Sequence, residues 1–141
     1  MSRLSSIKMI VFQNSLIVIS YAPETDILLV EWPSSEPYSV LEVKESHKLF
    51  VEVIKKYDAK KVLINAVSAV FNFDYADYLD LIELLTDELS KTRVEKVARV
   101  YTTVPEREAI MKSTLLKVSF PFLFQNFNSK EEAMHWLISQ K

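Results

Sequence analysis

The side chains best suited to chemistry or recognition gather between positions 67 and 78: Ser68, Phe71, Asn72, Phe73, Asp74, Tyr75 and Tyr78. Ser68 and Asn72 offer hydrogen bonds, and the rings offer apolar contact area. Asp74 opens a helical pattern, whose free N–H groups and partial positive charge could meet an anion or a partner carboxylate. Two readings are open at this point. The segment is a binding surface for a protein partner or a ligand, or Asp74 caps its own helix while the rings fold inward.

Other constellations carry less. The chain has no Cys, which removes thiolate nucleophiles and Cys-ligated metals. Its two His, His47 and His135, are too few for a three-His zinc site and too far apart for HExxH. His47 lies on an apolar helical stripe and reads as a core or boundary residue. No Gly occurs in 141 residues, where average usage would give about ten. That excludes phosphate loops, GxGxxG turns, G-x-S-x-G elbows and EF-hand loops, all of which need glycine's positive φ or close backbone approach. Asp74, Asp77, Asp80, Glu83, Asp87 and Glu88 form either a solvated helix face or an acidic docking face. Lys55, Lys56, Lys60, Lys61, Lys91, Arg93 and Lys96 gather at the opposite end, where cations offset helix C-termini or face an anionic surface. Arg99, alone in an apolar strand, pairs with an acid or anchors a ligand anion. No nucleophile–base pair or metal cluster is legible, so the chain reads as a non-enzyme without a cofactor.

The elements that position these residues follow from periodicity. Met9–Phe12, Leu16–Tyr21 and Ile27–Trp32 are β-rich runs broken by polar turns at Asn14-Ser15 and Ala22–Asp26. Val43, His47, Phe50, Ile54 and Tyr57 recur at helical spacing, widened by Leu49 and Val53, behind a Ser39-x-x-Glu42 capping box. Lys61–Ala66 reads as a buried strand. Asp74–Leu89 is a helix with Tyr75, Tyr78, Leu79, Ile82, Leu85 and Leu89 on its apolar side. Lys96–Thr102 is a strand, Thr103-x-x-Glu106 starts a helix to about Leu116, and Phe122–Phe127 is the last strand. Alternation puts Phe120, Phe122 and Phe124 on the core side, the wall of any apolar pocket. Ser129-x-x-Glu132 opens the last helix. The sum is an α/β domain: a mixed sheet of about five strands, an antiparallel hairpin and then parallel strands, covered by about four helices. We read residues 1–141 as a single unit with a flexible start at 1–6. Its apolar runs stop at four residues, too short for a bilayer span or signal peptide, so a cytoplasmic location is expected. A formal charge of −2 argues against nucleic acid.

This order, with Ile27–Trp32, Lys61–Asn65, Lys96–Val100 and the stretch from Phe124 to Leu137, resembles the STAS-like domains. These share the anti-sigma-factor-antagonist fold, and the chain is most similar to their bacterial SpoIIAA-like relatives, grouped loosely with CRAL-TRIO lipid-binding domains. The resemblance spans about residues 9–139 and rests on packing motifs. It implies a non-enzymatic domain that binds a protein partner. Its CRAL-TRIO side implies instead a carrier or sensor of a small apolar ligand or lipid. A homodimer fits the general preference for symmetric pairs. In the antagonists the switch is a phosphorylatable Ser in an Asp-Ser-Ser-Gly-like turn before the second helix. Here Phe73 and Asp74 stand in that place and Ser68 comes several residues too early. The resemblance therefore implies binding without the switch.

Overall fold

The computed structural model describes residues 8–33, 36–71, 73–100, 109 and 112–139. Its strands are β1 (Met9–Gln13), β2 (Val18–Ala22), β3 (Ile27–Glu31), β4 (Lys61–Asn65), β5 (Lys96–Val100) and β6 (Leu123–Phe127). They form one six-stranded sheet in sequence order. β1, β2 and β3 pair antiparallel, and β3 through β6 pair parallel. The sheet thus has six strands where about five were expected, with a three-stranded antiparallel meander at its start. The helices are α1 (Val40–Tyr57), α2 (Tyr75–Leu89) and α3 (Lys130–Ile138). Residues 112–115 are also helical, whereas Thr103 and Glu106 lie outside the described residues.

Sheet alternation sorts the core into two layers. Leu28, Val30, Val62 and Val97 face α1 and α2, and Ile27, Leu29, Leu63, Ala98 and Val100 face α3. β3 is buried on both sides from Ile27 to Val30, which explains why it reads as an unbroken apolar run. Phe50, Val51 and Ile54 bring α1 down on the larger layer, and Ala133 and Leu137 seat α3 on the smaller. Two details differ from periodicity alone. Leu49 is exposed, and α2 buries Leu81 and Thr86 where Leu79 was expected. Lys96 is buried on the α3 side. Its Nζ donates to the carbonyls of Trp136 and Ser139, each at 2.9 Å, and lies 5.0 Å from the centre of the Trp136 ring. The strand thus supplies a cation to the negative end of α3.

Capping carries much of the local order. Ser39 and Glu42 make both arms of the expected capping box. The two described non-Gly residues at positive φ are both Asp: Asp26 at 59° and Asp58, the left-handed C-cap of α1, at 53°. Glycine is usual at such positions, and Asp tolerates them because its short polar side chain bonds locally. Asp26 Oδ1 accepts from the Tyr21 hydroxyl at 2.6 Å, and Oδ2 accepts from the Lys60 backbone N–H at 3.2 Å. Burial, followed by this bond, pushes the Tyr21 pKa up to about 12. Asp58 Oδ2 meets Arg93 at 3.0 Å and Lys60 Nζ at 3.5 Å. Much of the basic end is therefore balanced by acids of its own turns.

Asp26→Ala should cost about 3 kcal/mol, through two lost hydrogen bonds to a carboxylate plus the strain of Ala at positive φ. Asp26→Asn, which keeps an acceptor and tolerates that φ, should cost about 1 kcal/mol. Urea denaturation of the three proteins measures both differences.

Candidate functional site

The carboxyl ends of the parallel strands carry the residues singled out above. β3 runs directly into Trp32, whose N–H donates to the Asn65 carbonyl at 3.1 Å, so the exits of β3 and β4 stay paired past the sheet. The β4 loop then turns back. Asn65 Oδ1 accepts from the Val67 N–H at 3.3 Å, and the Ala69 N–H donates to the Ala66 carbonyl at 3.2 Å. The Tyr38 N–H donates to the Val70 carbonyl at 2.9 Å, and Tyr38 and Phe71 form a parallel bridge. The Tyr38 hydroxyl donates to the Leu16 carbonyl at 2.7 Å, tying in the β1–β2 turn as well.

Onto this backbone the rings stack inward. Trp32 meets Tyr38, Phe71 and His47 edge-on at 5.2, 5.5 and 5.9 Å between centroids. The series continues from Phe71 to Phe73 at 5.8 Å and from Phe73 to Tyr78 at 5.4 Å. Edge-to-face geometry sets the positive rim of one ring against the negative face of another. Phe73 and Tyr78 are buried, Phe71 is half-buried, and Ser68 and Asp74 are exposed. The Tyr75 hydroxyl is buried with no hydrogen-bond partner among the described residues, and Asn72 lies outside them. Phe71, Phe73 and Tyr78 therefore come together as a platform, with Ser68 and Asp74 on its outer side. Phe73 is turned inward beside Tyr78, as the second of the two readings has it, because apolar burial outweighs exposure.

Asp74 is the N-cap of α2, as one reading held. Its Oδ1 accepts from the Asp77 N–H at 2.9 Å, and Asp77 Oδ2 accepts from the Asp74 N–H at 3.4 Å. This reciprocal box was not expected, because the usual pattern has Glu or Gln at the third position. Two carboxylates thus already occupy the helix end that could have taken an anion. No group of three or more His, Asp or Glu able to hold a metal is found among the described residues.

Beneath the platform an apolar cleft of about 80 Å³ lies between α2, the sheet and the segment carrying Phe120, Phe122 and Phe124. The three Phe are half-buried at its wall, with Phe120 stacked on Phe124 at 4.9 Å. Arg99 also borders the cleft, and its Nη1 donates to Asn126 Oδ1 at 2.9 Å.

Known proteins add the fold. No family model matches the chain, and no curated protein does. Among solved structures it is similar to an uncharacterized protein of the DUF3478 family with a SpoIIAA-like fold, from Shewanella loihica PV-4. The TM-score is 0.50 at 15% identity, over 89% of this chain and 98% of that one. This chain has a SpoIIAA-like fold. SiaC of Pseudomonas aeruginosa also aligns, at a TM-score of 0.39 and 12% identity, covering 85% of this chain and 98% of SiaC. In the SpoIIAA-like frame, the turn before α2 is the one where the resemblance placed a phosphorylatable Ser. Here its side chains are the buried Phe73 ring and the capping Asp74 carboxylate.

His47 gives the site a pH response. It is packed against Trp32 and Phe50, and burial pushes its pKa down from 6.5 to about 4. The unfolded chain takes up the proton near pH 6.5 while the folded protein does so only near 4, so stability falls as pH drops through that window. The full effect is at most about 3 kcal/mol, reduced by the residue's remaining exposure. His47→Phe, which keeps a ring on Trp32, should lose this part of the pH dependence. Urea midpoints at pH 7 and pH 5 test it: an equal drop for wild type and variant would remove His47 as the cause.

Proposed function

We propose that the chain is a non-enzymatic SpoIIAA-like binding or regulatory domain that engages a protein partner in the cytoplasm, without a Ser phosphorylation switch. We take residues 1–141 as one functional unit. The observation that carries the reading is the rigid platform under the β4–α2 turn, with Val67 (44% exposed), Ser68 and Asp74 held outward on it. A surface whose backbone is tied to two other loops is preorganised and loses little entropy when a partner docks. The Asp74–Asp77 box gives it fixed negative charge, so a partner with a basic or amide-rich face fits best. No helix among the described residues is long and apolar enough to cross a membrane. Affinity capture with wild type, Val67→Glu and Ser68→Arg tests the surface. The two variants should lose the wild type's partner at an unchanged urea midpoint. Phe73→Ala should lower that midpoint, with a loss of about 3 kcal/mol of stability, because it empties a core position. Identical capture by all folded variants would refute the assignment.

A second reading, a small apolar ligand, is favoured by the cleft beside Phe120, Phe122 and Phe124. About 80 Å³ is well short of the few hundred Å³ typical of ligand pockets, so such a ligand would approach a single ring in size, not a lipid. Native mass spectrometry of protein from cells should then show one added mass of that size. A clean mass of the bare chain, under conditions that preserve a known weak complex, would discard it.

A further inference from the structure

The two edges of the sheet are built differently. β1 carries an irregularity between Ile10 and Phe12, and a bulge of this kind twists an edge away from further pairing. β6, at the other edge, pairs in unbroken parallel register with β5, and no described strand lies beyond it. Its five residues, Leu-Phe-Gln-Asn-Phe, include no charge and no Pro, the usual guards of an open edge. Leu123 is 55% exposed.

The direction of its free hydrogen-bonding groups follows from one contact. The Leu123 N–H donates inward to the Glu95 carbonyl at 3.0 Å. In a parallel ladder successive residues point to opposite sides, so Gln125 and Phe127 also turn toward β5, while Phe124 and Asn126 present N–H and C=O to the open edge.

We propose that a second copy of this chain pairs antiparallel along β6, about a two-fold axis at Gln125. A two-fold axis normal to the sheet keeps the faces in common, so opposed residues must share a face. Centring on Gln125 meets that condition. Phe124 and the partner's Asn126 then exchange both backbone bonds, and symmetry repeats the exchange, giving about four hydrogen bonds. On the α3 face Leu123 lies opposite the partner's Phe127, and Gln125 lies opposite the partner's Gln125. On the other face the stacked Phe120 and Phe124 of each copy flank the junction. The strand carries no charge, so no like charges meet when it pairs with its own copy. This inference is independent of the β4–α2 surface, which lies at the ends of the strands and not along an edge.

The chain's lack of Cys makes the test direct. Wild type should sediment at twice 16.4 kDa. Gln125→Cys should form an intermolecular disulfide on mild oxidation, because the two copies of that position face each other at a Cα separation of about 4.5 Å. Leu123→Cys should not, since its symmetry mate is four residues along, about 13 Å away. Gln125→Lys and Gln125→Glu should each weaken the dimer at least tenfold while remaining folded, and their mixture should pair again. A 16.4-kDa monomer at all accessible concentrations overturns the proposal. So do equal cross-linking at both positions, cross-linking through Met9→Cys on β1 instead, or a dimer insensitive to charge at position 125.

Discussion

Trp32 is the point on which the loops at the carboxyl ends of the strands depend. It continues β3 beyond the sheet through its bond to the Asn65 carbonyl, and its ring receives Tyr38, His47 and Phe71 from three different segments. Ring burial of this kind is worth a few kcal/mol per side chain, more than any surface hydrogen bond nearby. The consequence is a division of labour within one short loop. Phe71 and Phe73 stack inward, and among the described residues of the loop Val67, Ser68 and Asp74 are left exposed.

A chain without glycine must find other ways to turn, and the solution chosen shapes its electrostatics. Asp26 and Asp58 take the left-handed positions, and both aim their carboxylates at the α1–β4 junction. Lys60 and Arg93 then have acids to meet, and the basic cluster at that end becomes the counterpart of the turn chemistry. Exposed pairs of this kind add little stability, so their main effect is to cancel part of the positive charge that an anionic surface would meet. The opposite end, with the Asp74–Asp77 box and the outer carboxylates of α2, keeps its negative charge.

Much of this was legible in the sequence because it is local. Strand runs, the Ser39–Glu42 box, the Asp74 cap and the mixed sheet follow from period and capping chemistry, which depend on neighbours within four residues. What was not legible depends on tertiary direction. Periodicity could not fix the rotation of α2 to one residue, so Leu81 and not Leu79 meets the core. Nothing local distinguishes an inward Phe73 from an outward one; the partner rings that decide it sit at Trp32 and Tyr78. Lys96 reads as a helix-end cation, yet the α3 carbonyls that bury it come forty residues later.

The same contrast between local and global constraint bears on where function can reside. At the strand ends aromatic contacts run from Phe50 to Tyr78, and the space left beside Phe124 is about 80 Å³. Enlarging that cleft would separate rings that hold the loops together, and would disturb the surface at the strand ends. Interior capacity and a preorganised exterior therefore compete for the same side chains. At this end of the sheet the ring packing resolves that competition toward a small cleft and a fixed loop surface.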